Sequence, residues 1–199
     1  MEEIVDHIPE EAPKKKKKKA EKDSTPTRGI ETMFRVTSKN HLQLSAMADN
    51  KANIIISINA IILSIVISLL IRRFEESPHL IFPTAILVVV CLTTIFLATI
   101  STRPKVNYYT MTKEDIKNKT GNLLFFGNFM NMSLDDYQWG MNELMKDKDY
   151  LYSSLTKDIY FAGIVLGRKY KYLRLAYNVF MYGLMVSTLA FIATSLFLV

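Results

Sequence analysis

The sequence predicts an all-α integral membrane protein. It has three transmembrane helices, a small helical cytoplasmic module, and a long N-terminal helix continuing into the first span. Three observations predict this class. Lys51 and Arg72 bracket twenty uncharged residues, thirteen of them Ile, Leu or Val. Ser77–Thr102 and Leu175–Val199 are two more blocks without Lys, Arg, Asp or Glu, where soluble helices of that length would need charges on an exposed face. Finally, Ile30–Arg72 contains neither Gly nor Pro, so nothing in it interrupts a helix.

The first span, residues 52–71, matches the hydrocarbon thickness at helical rise. Its thirteen branched aliphatic residues favour the bilayer by about 4 to 8 kcal/mol in sum. The second span is placed at residues 79–100, after a hairpin in which Pro78 and Pro83 end one helix and start the next. The third is placed at residues 175–198. None resembles a cleavable signal peptide, because the first begins some fifty residues in and no small-x-small site follows it. Cys91, the single cysteine, lies inside the second block and suits packing; it excludes an intramolecular disulfide and a cysteine metal site.

Charge fixes the expected orientation. Eleven Lys or Arg precede the first span and eleven lie between Arg103 and Lys171, against Arg72 and Arg73 in the hairpin, beside Glu75 and Glu76. The positive-inside rule puts the N-terminus and the middle segment in the cytoplasm and the C-terminus outside a bacterial inner membrane. Residues 1–28 read as a disordered tail with six consecutive lysines, Lys14 to Lys19, and too little apolar area to offset chain entropy. Those lysines serve as a solvated, topology-fixing linker or attract anionic lipid. No aromatic residues are interleaved for base stacking, which argues against nucleic acid.

Residues 29–51 form the cytoplasmic half of a helix that runs about 65 Å in all. At 100° per residue, Arg35, Lys39, Leu42, Ala46 and Asp49 share a face that continues into the membrane as Asn53, Ser57, Ala60, Ser64 and Ser68. Small, weakly polar residues at such steps form a seam where helices approach closely. Asn59 lies off that seam by more than a quarter turn, and its amide calls for a partner on another span or another subunit. The helix is thus a candidate lever from a cytoplasmic event to membrane packing; a fixed structural bundle is the competing reading.

The cytoplasmic module covers residues 101–172. Thr112 with Asp115 marks a capped start for a short helix stopped at Gly121, and Ser133 with Asp136 a second helix running to about Lys146. A third helical run starts near Asp149 and can continue into the last span. Within it, Ile159–Leu166 is too short to cross a bilayer and is expected to lie against the module or the membrane surface.

Nothing in the chain supports catalysis. His7, His41 and His79 are scattered, and there is no nucleophile elbow, Walker lysine or Gly-x-Gly-x-x-Gly. No enzyme activity, metal or cofactor is expected. A ligand site has more support. The module offers the aromatics Phe125, Phe126, Phe129, Tyr150 and Tyr152 beside the amides Asn122 and Asn128, and the cations Arg35, Lys39, Lys51 and Arg103, with Asp49 and Asn53 flanking Lys51, complete the candidate set. An aromatic platform, an amide and a cation are what a small phosphorylated nucleotide requires. By pattern alone, a packed aromatic core with snorkelling cations has the stronger claim. No Asp, Glu, Lys or Arg lies inside a span, which disfavours a coupled transporter.

Four stretches carry a family resemblance: Gly29–Ser64 around ADNKAN, STRPK at Ser101–Lys105, NLLFFGNF at Asn122–Phe129, and DYLYSSLTKDIY at Asp149–Tyr160. Together they resemble the transmembrane effectors of Pycsar, the pyrimidine cyclase antiphage system, over about Arg28 to the C-terminus. The resemblance implies an antiphage effector that senses cyclic CMP or cyclic UMP and impairs the inner membrane, causing abortive infection, as a homo-oligomer in the bilayer. Some relatives carry an HD phosphohydrolase domain; here the lysine-rich tail stands in that place, so no hydrolase activity is implied. The alternative is a non-enzymatic membrane anchor or scaffold that docks a cytoplasmic partner.

Overall fold

The computed structural model describes residues 27–73, 77–104, 109 and 111–197, and every element among them is helical. The lysine-rich tail, Glu75 and Glu76 lie outside the described residues. Helix α1, Thr27–Arg73, is unbroken over 47 residues, about 70 Å at helical rise. A 3₁₀ turn at Pro78–Leu80 leads into α2, Ile81–Thr102, with Pro83 in its first turn, where a missing N–H costs no helical bond. Short helices α3 (Lys113–Lys117) and α4 (Phe126–Phe129) precede α5 (Leu134–Lys146). The last helix, α6, runs from Lys148 to Phe197, 50 residues. Three of these helices, α1, α2 and α6, are long and apolar enough to cross a membrane.

The third span therefore has no separate beginning. Ile159–Leu166, expected against the module or the membrane surface, is the middle of the α6 rod. Gly163 and Gly167 interrupt only its side-chain surface, and Gly163 leaves room for the His41 ring of α1, whose Cε1 would lie 3.6 Å from an added Cβ.

Two separate cores hold the fold. The first joins all three spans through Ala48, Ala52 and Ile55 of α1, Ala98 of α2, and Leu173 and Ala176 of α6. Its alanines let the backbones approach closely, which is how helices associate where the solvent is itself apolar. Farther along, Gly183 of α6 sits so near Val90 of α2 that a Cβ there would meet the valine side chain at 2.3 Å. The outward faces carry Ile61, Ile65, Phe96 and Leu189, as lipid requires. The second core belongs to the module and gathers Met111, Ile116, Leu123, Leu144 and Tyr150.

The packed face of α1 is not the expected seam. Ala48, Ala52, Ile55 and Asn59 are buried, whereas Asn53, Ser57, Ala60, Ser64 and Ser68 are exposed on the far side of the helix. The bundle closes on the stripe of Ala48, Ala52 and Ile55, where the alanines meet Ala98 and Ala176 and let the backbones come close. Asn59, fully buried, donates its Nδ2 hydrogen to the Ile55 carbonyl at 2.7 Å, while its Oδ1 has no partner.

Candidate functional site: a lysine and tryptophan cleft beside two parallel rods

The module is assembled from local signals. Thr112 caps α3 by accepting from the Asp115 N–H, and the Asp115 carboxylate accepts from the Thr112 N–H at 2.9 Å, a reciprocal capping box. Ser133 caps α5 in the same way, accepting from the Asp136 N–H at 3.2 Å. The Thr112 hydroxyl, then the Thr112 N–H and the Tyr109 hydroxyl, all donating to it, hold the Asp115 carboxyl below its ordinary range; Lys113 at 2.7 Å, with Ser133, does so for Asp136.

Helix α3 does not stop at Gly121. It ends in a Schellman turn: the Lys119 N–H donates to the Ile116 carbonyl and the Thr120 N–H to the Asp115 carbonyl. Lys119 occupies the left-handed position of that turn, with φ 58°, where glycine is usual. The glycine two residues later serves space instead, because an added Cβ at Gly121 would lie 2.1 Å from the Met111 methyl.

This turn aims Lys119 at Asp147, and the pair forms a salt bridge. Lys119 in turn holds the Asp147 carboxyl below, and Asp147 the Lys119 ammonium above, their ordinary values. Between α3, α5 and the start of α6 lies an open cleft of about 370 Å³. One wall is aromatic, with half-buried Trp139, the only tryptophan of the chain, and Tyr150. Around it stand three cations, Lys117, Lys119 and Lys146, and two carboxylates, Glu143 and Asp147. Lys146 pairs with Glu143 at 3.0 Å, and Lys157 closes the turn by donating to the Thr120 carbonyl at 3.2 Å. Tyr150 donates its hydroxyl to the Gly121 carbonyl at 3.2 Å. Burial, and then the Asp115 charge, push that phenol above its ordinary value. The arrangement offers a stacking plane, cations for an anionic group, and acceptors for an amino or imino N–H.

Of the residues expected to form the ligand site, Tyr150 lines this cleft, and Asn122, Phe125 and Asn128 come together in a turn of their own. In that turn the Asn122 side chain accepts from the Leu124 N–H at 3.0 Å, and the Asn128 amide donates to the Asn122 carbonyl at 2.8 Å. Phe125 packs against Phe126 with ring centres 5.0 Å apart. Arg35, Lys39 and Asn53 lie on the exposed face of α1, Lys51 is exposed elsewhere on that helix, and Arg103 is exposed at the end of α2. Asp49 is engaged otherwise, with Lys169 of α6. Lysines 117, 119 and 146 were missed because they read as solvated helix ends. The lone tryptophan three residues after Asp136 was the available signal.

Lys169 is the link between the two rods. Its ammonium donates to both Asp49 oxygens at 2.8 Å and to Ser45 Oγ at 2.9 Å, at the membrane end of the extramembrane half of α1. Near it, Tyr170 donates to the Leu44 carbonyl at 3.3 Å and Tyr177 to the Lys51 carbonyl at 3.4 Å, and far down the two rods Phe34 stacks on Tyr152. Partner numbers rise together along both helices, so α1 and α6 run parallel, side by side, into the membrane.

The model of the Pycsar effector protein domain matches residues 32–198 of this chain. The chain belongs to the Pycsar effector family. It is accordingly an antiphage defence effector and a membrane protein. No curated protein and no solved structure matches it. In this Pycsar effector the matched region takes in α1 from its sixth residue, α2, α6 and the module with its cleft.

Proposed function

We propose that this antiphage effector senses a cyclic pyrimidine nucleotide, cyclic CMP or cyclic UMP, in the cytoplasm and impairs the bacterial inner membrane in response, without enzymatic chemistry. The N-terminus and module face the cytoplasm, in accord with the lysine and arginine counts. The observation that carries the reading is the cleft built on the first turn of α6, because Tyr150 belongs both to the cleft wall and to the rod that enters the membrane. A pyrimidine would stack on Trp139, with its amino or imino N–H donated to Glu143 or Asp147. The cyclic phosphate, a single negative charge, would take Lys117, which holds no salt bridge among the described residues, and compete for Lys119 and Lys146. Drawing Lys119 from Asp147 would loosen the turn that holds the base of the rod.

The test uses purified full-length protein. Trp139 fluorescence, which has no other tryptophan to obscure it, is titrated with cyclic CMP, cyclic UMP and cyclic AMP, and dye leak is followed from liposomes carrying the protein. Saturable quenching by one pyrimidine nucleotide, accompanied by leak, is the expected result. No binding and no nucleotide-dependent leak would end the reading; nucleotide-independent capture of a cytoplasmic partner would put the anchor or scaffold in its place.

A further inference from the structure

We infer that one face of α6, at the level where the rods enter the membrane, binds the headgroup of an acidic glycerophospholipid, whether or not the module holds a nucleotide. At about 100° per residue, the side chains that pack on α1 and α2, among them Tyr170, Leu173 and Ala176, share one side of α6, and Gly183 with its Val90 contact falls there too. Gly167, Arg168, Lys171, Arg174 and Asn178 fall on the other side, and all five are exposed.

This face has cations and no counter-charge. No Asp or Glu occurs from Ile159 to Val199, and Asp49, the acid that α1 brings to this level, is taken by Lys169. Among the described residues, Arg168, Lys171 and Arg174 form no salt bridge and no side-chain hydrogen bond. Three cations within two turns repel one another, so an anion from outside the protein is stabilised there. The face also has room. An added Cβ at Gly167 would meet nothing within 4 Å beyond its own helix. Helical side chains lean toward the N-terminus, so Lys171 reaches back over this empty shelf, with Arg174 on the same side. Asn178 then sets the depth. It stands one turn beyond Arg174, about 6 Å deeper, inside the third uncharged block. Its amide makes no hydrogen bond among the described residues, and the acceptors that a bilayer offers near its surface are the ester carbonyls of the lipid glycerol. Farther on, the same side continues as exposed Met185 and Leu189. Cations, amide and apolar surface thus follow one another in the order of phosphate, ester and acyl chain. A free phosphate would satisfy the cations but leave the amide without a partner, so the occupant is a lipid.

The experiment is lipid selectivity by spin label. Full-length protein is reconstituted in phosphatidylcholine bilayers with trace spin-labelled phosphatidylglycerol or phosphatidylcholine, and electron spin resonance reads the fraction of each label that the protein immobilises. A several-fold preference for phosphatidylglycerol is expected, falling to near parity in Lys171→Gln with Arg174→Gln. Asn178→Leu should lower the preference about twofold even at high salt, where simple surface attraction is already screened. Two comparison variants should keep most of it: Lys51→Gln with Arg103→Gln, exposed cations of the other two spans, and glutamine throughout Lys14–Lys19. Parity in the unaltered protein would overturn the inference. So would an equal fall in either comparison variant, no fall with Asn178→Leu, or loss of the preference on adding excess inorganic phosphate.

Discussion

Lys119 holds a left-handed backbone that glycine adopts freely and other residues adopt at about 1–2 kcal/mol. Its salt bridge to Asp147 is solvent-exposed and returns little of that. Lys119→Gly is therefore expected to stabilise the module by about 1 kcal/mol while weakening nucleotide binding several-fold. Thermal melting and titration, both followed at Trp139, check the two halves. Unchanged affinity would show that the lysine is not in the site. Much at this scale was legible: Thr112 with Asp115 and Ser133 with Asp136 announce their helices because a cap is satisfied within four residues. The end of α3 was not legible, since Gly121 advertises a stop that Lys119 performs and the Met111 contact that explains the glycine is tertiary.

At the scale of elements, the unbroken α1 could be read from forty-three residues without Gly or Pro, but its companion could not. Lys169 lies 120 residues from Asp49, and no local pattern pairs them. The expected seam failed within the protomer for a related reason: periodicity finds faces, and only packing decides which face is buried. The Asp49–Lys169 pair is half-buried, so its removal should cost about 1 kcal/mol, a small part of the bundle's stability. Its expected importance is in coupling. Lys169→Gln should leave nucleotide binding at Trp139 unchanged and reduce leak, and exchanging the two charges, Asp49→Lys with Lys169→Asp, should restore it. Loss of binding and leak together would mean that the pair serves folding alone.

For the whole molecule, the separation of the two cores puts the carboxyls held below their ordinary value in one half, the module. The spans contain no Asp, Glu, Lys or Arg between Lys51 and Arg72, in 77–102 or in 175–199. The module, held by its apolar core, also carries Asp115, Asp136 and Asp147 at its surface, each with a folded value below the ordinary 3.8. A lowered carboxyl value favours the folded state at pH above the unfolded value, and that advantage is lost as pH falls through the folded one. Acidification from neutrality is thus expected to leave the module intact down to about pH 4, the unperturbed carboxylate range, and to loosen it below. Trp139 emission, inside the module, should then shift while far-ultraviolet circular dichroism, dominated by α1, α2 and α6, keeps most of its helical signal. Replacing all three aspartates by asparagine should lower the neutral-pH stability of the module and flatten its acid transition, because the charge that distinguishes folded from unfolded is gone. If fluorescence and dichroism fall together in acid, the two cores unfold as one unit, and a ligand could not repack the module without also disturbing the bundle.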